Sequence, residues 1–551
     1  MHAVSDCAPL NSHPADPTMT TTLFIGLDGC TYTVLDQMTR ELPGEGLTMP
    51  FMKSLMERGV RAKLRSTPNP LTPPAWTSIM TGKGPGEHGV FDFIRAEDHG
   101  GEVYWTLYDA RDIDSETIWA ILSRKGKSVA ALNFPLTAPA PEDLKGSIVP
   151  GFIPAKHLRR NTHPRELFER IKQQIPGFDP KELAWDFDKE KQAMESLSAD
   201  ETAKWVRYHL PREEQWFKVA EFILANDKPD VMAVMFDGTD KIQHQAWPWL
   251  DAALLKTNPD AHDQEMRAVC LEYFRNLDGY IEKLVTLAGP DTQVFFASDH
   301  GFTASTFVLR INAYLEQKGY LKWAVNDGSE QAIRREASDF ANLDWAHTTA
   351  YCRTPSSNGI HIRVAAKPGD PGIQPKDYIT FRDQLIADLL ALCDPDSGEP
   401  VIVDVLKRED WFPGQHMQRA CDLTLVLRDH GFVSIRNLQP PVAQRPQAIG
   451  THHPDGIFMA VGPGIPAAGM VELRQIVDVA PTLLYSAGLP VPSDFEGAAA
   501  ESFFTAEQLA ARPVKKGART RLTERRQLGQ EMDAGEKQQI IEQLQMLGYM
   551  E

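Results

Sequence analysis

Hydrophobic positions in this chain form two kinds of run. Short, continuous apolar runs cover residues 22–27, 128–134, 231–236, 293–298 and 457–461. Runs of this length without polar alternation are the mark of strands buried on both faces of a parallel sheet. Longer stretches such as 264–287 repeat their apolar residues at helical spacing. Strand and helix patterns alternate from about residue 21 to residue 150, and that alternation predicts an α/β fold with a parallel sheet. Polar residues able to hold a metal or a phosphoryl group lie beside four of the five apolar runs. Asp28 ends the first, and Asp237, Asp240 and His244 follow the third. Asp299 and His300 end the fourth, and Gly450-Thr451-His452-His453 shortly precedes the fifth. The run ending at Pro135 carries no ligand of its own. In open α/β sheets ligands bind outside the carboxyl ends of the strands, so the pattern predicts a metal site at one sheet edge.

The same patterning divides the chain. Residues 1–20 read as a disordered lead-in and 21–150 as the first part of a catalytic core. Residues 151–227, rich in charge and Trp, read as an inserted helical cap with helices over 164–174 and 199–225. The core resumes over 228–305 and again over 441–504. Between them, 306–440 reads as a second insertion or cap, with a turn at Asp370-Pro371-Gly372, a helix over 381–392 and short strands around 360–364 and 420–427. The tail, 505–551, is polar and ends in an amphipathic helix over 536–547. Ile540, Ile541, Leu544 and Leu547 share one face of it, which suits packing against the domain or a partner.

Composition narrows the function. The chain has 551 residues, of which 42% are hydrophobic and 24% charged, values that allow a sizeable core. A net charge of -18 argues against a nucleic-acid backbone as the routine partner. It leaves open a small phosphorylated substrate, because bound dications reverse the local field. Six scattered cysteines without a CxxC pair fit reduced thiols and a cytoplasmic location. No apolar run approaches the roughly 18 to 20 residues of a membrane span. The first 20 residues lack the basic start and apolar core of a secretory signal. Nothing in the composition sets the oligomeric state.

The candidate ligands sort into two sets. Asp28, Asp299 and His300, completed by a hydroxyl, would form one; Asp240, His244 and His452 would form the other. Asp240 and His244 stand at i, i+4, which puts carboxylate and imidazole on one helix face. Mixed oxygen and imidazole ligands suit zinc, with manganese as the alternative. Two cations about 4 Å apart can clamp the attacking and leaving oxygens of an in-line displacement. Three hydroxyls compete for the role of nucleophile in the stretch 71–82: Thr72, Thr77 and Ser78. Thr72 precedes Pro73, a pattern suited to the first turn of a helix, where the dipole favours an alkoxide and an arriving phosphate.

Longer motifs carry a resemblance. They are FIGLDG at 24–29, LTPPAWTSIMTGKGPGEHGVFDF at 71–93, MFDGTDKIQH at 235–244, ASDHGF at 297–302, GTHHPDGIFMAVGPGI at 450–465 and VDVAPTLLYSAGLPVP at 477–492. In this order they resemble the alkaline phosphatase superfamily, and within it the type I phosphodiesterase/nucleotide pyrophosphatase and phosphohydrolase/phosphomutase branch. The resemblance implies a three-layer α/β sandwich with a mostly parallel central sheet and inserted caps. It implies Thr72 as nucleophile and as a metal ligand beside Asp28, Asp299 and His300, with Asp240, His244 and His452 on a second metal. The implied activity is two-metal hydrolysis of phosphate esters, diesters first, through a covalent phosphothreonine. A phosphomonoesterase or phosphomutase on the same site is the alternative, and an inactive binding protein is the reading from another class. The sulfatase branch is disfavoured, because Thr72-Pro73-Pro74-Ala75-Trp76 lacks both the modifiable Cys or Ser and the Arg of that branch.

One departure bears on substrate. Nucleotide pyrophosphatases place a phosphate-binding Asn a few residues after the His-Gly pair, whereas His88-Gly89 here is followed by Val90, Phe91, Asp92 and Phe93. Lys83 and His88 are the candidates to supply the missing positive group. Arg353 and Lys241 are further candidate substrate contacts, and Trp205, Trp216, Trp247 and Trp249 either line the pocket or fill the core.

Overall fold

The computed structural model describes residues 20–99, 102–184, 199–325 and 343–521. The expected lead-in and the amphipathic helix over 536–547 lie outside them. Alternation of side chains between two cores organises the centre. In the strand Thr22–Leu27, Leu23, Ile25 and Leu27 point into one hydrophobic cluster and Phe24 into another. In Val231–Phe236, Met232, Val234 and Phe236 join the first cluster, and Val231, Ala233 and Met235 the second. Both faces of the sheet are therefore covered, which gives a three-layer α/β sandwich.

Among the described residues the sheet has nine strands. Thr22–Leu27 lies at its centre, parallel to Val231–Phe236 on one side and to Gln293–Ala297 on the other. Val129–Leu132 and Gly146–Val149 extend it in parallel beyond Val231–Phe236. The apolar run over 457–461 behaves differently from its four fellows. It belongs to Asp455–Val461, which runs antiparallel to both Gln293–Ala297 and Val60–Arg65. The cause is connectivity. The preceding strand, Val442–His453, ends at the metal-bearing edge, and Pro454 passes the chain straight into the sheet from that end. An apolar run reports burial and not direction.

The helices expected to cap the site instead form part of one flanking layer. Leu158, Leu167, Phe168, Ile171, Trp216 and Ile223 share a cluster with Leu23 and Val234. Their apolar stripes face the sheet, so the segment is helical as its periodicity predicts but lies against the core. Residues 306–440 do leave the core. They build a four-stranded sheet ordered Ala350–Cys352, Gly359–Ile362, Leu423–Leu427, Ile402–Lys407, with the helix Tyr378–Leu390 on it. Leu309, Leu385, Leu389, Ile402 and Leu425 belong to its separate core. This lobe rides on a long antiparallel pair, Gly301–Arg310 with Val442–His453.

The second flanking layer contains the helix Thr72–Thr81, whose Trp76 is fully buried. Gly26 makes room for it: a Cβ at Gly26 would stand 2.6 Å from Trp76 Cη2. Gly26→Ala is therefore expected to lower stability by about 1–3 kcal/mol, the usual result of overpacking. Denaturant unfolding measures this, and an unchanged midpoint would mean that Trp76 yields freely.

Candidate metal centre

Each candidate ligand is placed by a sharp local device. Asp28 follows the central strand, and the chain turns at Gly29 with φ +63°. A side chain there is excluded twice, since a Cβ would meet Phe302 at 2.5 Å and the backbone lies in the left-handed region. The Gly29 N–H donates to Asp299 Oδ1 at 3.1 Å, which ties two strand ends together. His300 Nδ1 lies 3.1 Å from the Gly301 carbonyl, and His452 Nδ1 lies 2.7 Å from the Pro70 carbonyl. A carbonyl only accepts, so each Nδ1 carries the proton and each Nε2 is left as a lone pair for a cation.

These Nε2 atoms converge. His300 Nε2 stands 3.2 Å from Asp299 Oδ2 and 3.8 Å from both Asp28 Oδ1 and Asp240 Oδ1. His452 Nε2 is 3.2 Å from Asp240 Oδ1 and 3.1 Å from His244 Nε2. His244 Nε2 is 3.5 Å from Asp240 Oδ1. Thr72 Oγ1 lies 3.4 Å from His300 Nε2, at the first residue of its helix. All seven residues read from the sequence thus meet in one place. Two overlapping groups result, Asp28–Asp299–His300 and Asp240–His300–His452, with ligand atoms in each within 4.8 Å of one another. His300 is shared between the groups, and its ring stacks on His452 at 3.5 Å. His244 approaches the second group from the helix face it shares with Asp240.

The electrostatics fit cations. Burial, then Asp299 and Asp240, push the Asp28 carboxyl well above its ordinary range. Burial also raises Asp299, to about 7. Burial and His452 hold His300 well below an ordinary histidine, and burial lowers His452 as well, so both imidazoles are in the neutral, ligating form. Burial works against ionised Asp240, yet the neighbouring His244 holds it well below the usual carboxylate range. Asp28 Oδ1 and Asp299 Oδ2 are buried and have no hydrogen-bond partner among the described residues. Unsatisfied buried carboxylate oxygens are costly, and a divalent cation answers both the charge and the vacant lone pairs.

Residues without a motif hold this set in place. The helix Gly238–Leu250 presents Asp240 and His244. At its start Asp237 accepts from Arg212 at 2.8 Å and from Asn133 Nδ2 at 3.0 Å. The Gly238 N–H donates to Glu213 Oε1 at 2.7 Å, and Thr239 Oγ1 donates to the Asp28 carbonyl at 2.5 Å. Arg212 is fixed in turn by the carbonyls of Leu183 and Ala184 at 3.0 and 2.8 Å. Asp237 is visible in the sequence as the residue after an apolar run. Arg212 and Glu213 are not, because they sit mid-helix in a charged segment with no spacing that links them to Asp237.

The two candidates for the missing positive group, Lys83 and His88, are both engaged by protein partners. Lys83 is buried and its Nζ is engaged by Asp494 at 2.8 Å and Thr520 at 3.3 Å. His88 is fully buried between Ser78 Oγ, 3.0 Å from its Nε2, and the Val90 N–H, 3.2 Å from its Nδ1. Burial and the nearby His416 lower it to about 3, so it is neutral. Both side chains have protein partners that brace the loop after the Thr72 helix. Lys241 lies over the Phe152 ring at 5.8 Å. Trp216 and Trp247 fill the core, Trp205 donates to the Lys241 carbonyl, and Trp249 donates to Asp263.

Two outcomes are expected. Arg212→Met leaves Asp237 buried without its partner, costing about 3–5 kcal/mol. In the fraction that stays folded it should weaken metal binding about 10- to 100-fold, as loss of an outer support does. Calorimetric metal titration beside circular dichroism measures both effects, and native affinity in a folded variant would remove Arg212 from the support. Separately, the raised Asp299 holds a proton below about pH 7 that a cation must displace. Metal affinity should therefore fall as pH drops through about 7, with proton release seen as a dependence of binding heat on buffer ionisation. A flat affinity across that range would contradict the assigned protonation.

Residues 22–455, most of the chain, match the family model of type I phosphodiesterase/nucleotide pyrophosphatase. Among curated proteins, none matches. Solved structures similar to the chain include murine ectonucleotide pyrophosphatase/phosphodiesterase 5 in complex with AMP, at 14% identity and TM-score 0.48, covering 85% of this chain and 95% of that one. Phosphonoacetate hydrolase from Sinorhizobium meliloti 1021 in complex with phosphonoformate is similar at 17% identity and TM-score 0.48, covering 86% and 96%. The human ectonucleotide pyrophosphatase/phosphodiesterase 5 is similar at 12% identity and TM-score 0.47, covering 90% and 99%. The family model carries the assignment: this chain belongs to the type I phosphodiesterase/nucleotide pyrophosphatase family of the alkaline phosphatase superfamily and is a metal-dependent phosphoric ester hydrolase.

Proposed function

We propose that this hydrolase cleaves phosphodiesters by a two-step displacement with Thr72 as nucleophile. The observation that carries the reading is the position of Thr72 Oγ1, 3.4 Å from His300 Nε2 at the edge of the six-ligand cluster. Thr72 opens a ten-residue helix, so the helix dipole favours negative charge on its oxygen and on an arriving phosphoryl group. Pro73 and Pro74 carry no backbone N–H, which leaves that of Thr72 as the first-turn donor ahead of Ala75.

Asp28, Asp299, His300 and Thr72 would hold one cation and Asp240, His244 and His452 the other, zinc by ligand chemistry or manganese in its place. Bound there, the cations supply Lewis-acid charge at the attacking and leaving oxygens. The protein's part is positioning. Thr72 Oγ attacks phosphorus, its bond to phosphorus forms, and the bond to the first alcohol breaks to give phosphothreonine and a free alcohol. Water then attacks the same phosphorus from the opposite side, releasing the monoester and restoring the Thr72 hydroxyl. Burial of the surrounding carboxylates and imidazoles keeps this charge transfer out of bulk water, where it is worth most.

The residue pattern after His88-Gly89 lacks the Asn of nucleotide pyrophosphatases, which weighs against a nucleotide diester as the substrate. In the stretch after His88-Gly89, Phe93 is buried and its neighbour Asp92 accepts from Thr354 and Ser356 at 2.8 Å. Hydrolysis of bis-p-nitrophenyl phosphate against p-nitrophenyl phosphate, with zinc or manganese, tests the proposal. The diester should be preferred, and Thr72→Ala should lose activity about 1000-fold or more, as removal of a covalent nucleophile does. Monoester preference would move the reading to phosphatase or mutase chemistry. Full diesterase activity in Thr72→Ala would end the nucleophile assignment.

A further inference from the structure

A second concave site lies beside the first. The loop after the His-Gly pair and the inserted lobe enclose a cavity of about 480 Å³. Its size is that of a small-molecule pocket. Phe91, Tyr108 and Phe412 form its apolar walls, and three guanidinium groups reach it, from Arg95, Arg353 and Arg419. In a chain of net charge -18 three arginines in one cavity are a local reversal of sign.

The carboxylates of the cavity are already answered. Asp112 pairs with Arg95. Asp92 is buried, and both of its oxygens accept hydroxyls from Thr354 and Ser356 at 2.8–3.0 Å. Burial raises it to about 6. Arg353 and Arg408, adding to burial, hold His361 of the same wall well below an ordinary histidine, so the imidazole stays neutral beside the arginines. Arg353 also lies over the Tyr351 ring and donates to its hydroxyl at 3.3 Å, which fixes the guanidinium at the wall. The lining therefore offers planar cationic forks between aromatic faces. Such forks match phosphate and carboxylate oxygens in pairs.

The cavity is also within reach of the nucleophile. Asn69 is part of its wall, and the Asn69 side chain donates to the Ser356 carbonyl of the inserted lobe at 2.7 Å. Asn69 stands three positions before Thr72, so their Cα atoms are at most about 11 Å apart. Pro70, between them, is the residue whose carbonyl orients His452. One short loop thus joins cavity wall, metal ligand and nucleophile.

We propose that this cavity receives a second anionic oxyacid group, phosphate or carboxylate, on the non-reacting arm of the substrate. The inference rests on the phosphodiesterase reading and sharpens it: the natural substrate is a phosphodiester with a further anion several bonds from the scissile phosphorus. Anchoring at Arg353 and Arg419 would hold that arm beside the loop that leads to Thr72.

Two measurements test it. In the first, metal-free protein is titrated calorimetrically with pyrophosphate and, separately, with succinate. One site is expected for at least one probe, weakened tenfold or more in Arg353→Met and in Arg419→Met. The stronger probe identifies the oxyacid. No binding by folded metal-free protein, or binding indifferent to both substitutions, overturns the proposal. In the second, the metal-loaded enzyme is given p-nitrophenyl phosphodiesters whose other arm is hexyl, or the same chain ending in carboxylate or phosphate. A kcat/KM at least tenfold higher for an anionic arm is expected, and that ratio should fall toward one in Arg353→Met. Equal rates on all arms overturn the anion site alone. Hydrolysis of none overturns the phosphodiesterase reading, and the calorimetric titration still decides the cavity.

Discussion

Three carboxylates crowded into a buried pocket are the constraint around which this protein is built. Asp28, Asp240 and Asp299 are each at most 2% exposed, and neutral imidazoles on His300 and His452 bring no compensating charge. Such a cluster is unfavourable by itself. It becomes favourable when divalent cations join it, and then the same closeness that made it costly makes it a strong site. The raised carboxyls of Asp28 and Asp299 are the metal-free signature of that arrangement.

Holding repelling groups together requires a stiff frame, and the fold supplies one at several depths. Parallel strands bring Asp28 and Asp299 to the same edge, and the Gly29 amide links them. The helix with Asp240 and His244 is pinned at its start by Arg212, Asn133 and Glu213. His452 is aimed by the Pro70 carbonyl. The helical layer read as a cap is therefore part of the support. Its Arg212 crosses from the outer layer to the metal-bearing helix, a contact between buried ions that is retained for geometry more than for stability.

The inserted lobe has a different relation to the chemistry. It hangs from the strand pair Gly301–Arg310 and Val442–His453, and this pair begins beside His300 and ends at His452. The lobe is thus tied by one ribbon to the segments that carry two candidate ligands. The same lobe contributes Thr354 and Ser356 to Asp92, in the loop after His88-Gly89, and Arg353 to the neighbouring cavity. Substrate choice and catalysis are joined through one loop and one ribbon.

Much of this was legible in the sequence, for a physical reason. Burial on two faces writes itself locally as an unbroken apolar run, and a ligand at a strand end writes itself as Asp or His beside that run. Thr72, Asp28, Asp240, His244, Asp299, His300 and His452 could be named from such neighbourhoods and from their motifs, as could the sheet they border. The tertiary structure alone decided which charges meet across long separations. It turned the strand at 455–461 antiparallel, placed His300 between both ligand groups, and engaged Lys83 with Asp494 and His88 with Ser78. It also brought Arg212 to Asp237 and Arg353 to the cavity beside Asn69. Periodicity encodes whether a residue is buried, since that is set by its own segment. The partner it meets there is set by how distant segments pack, and no local pattern carries that information.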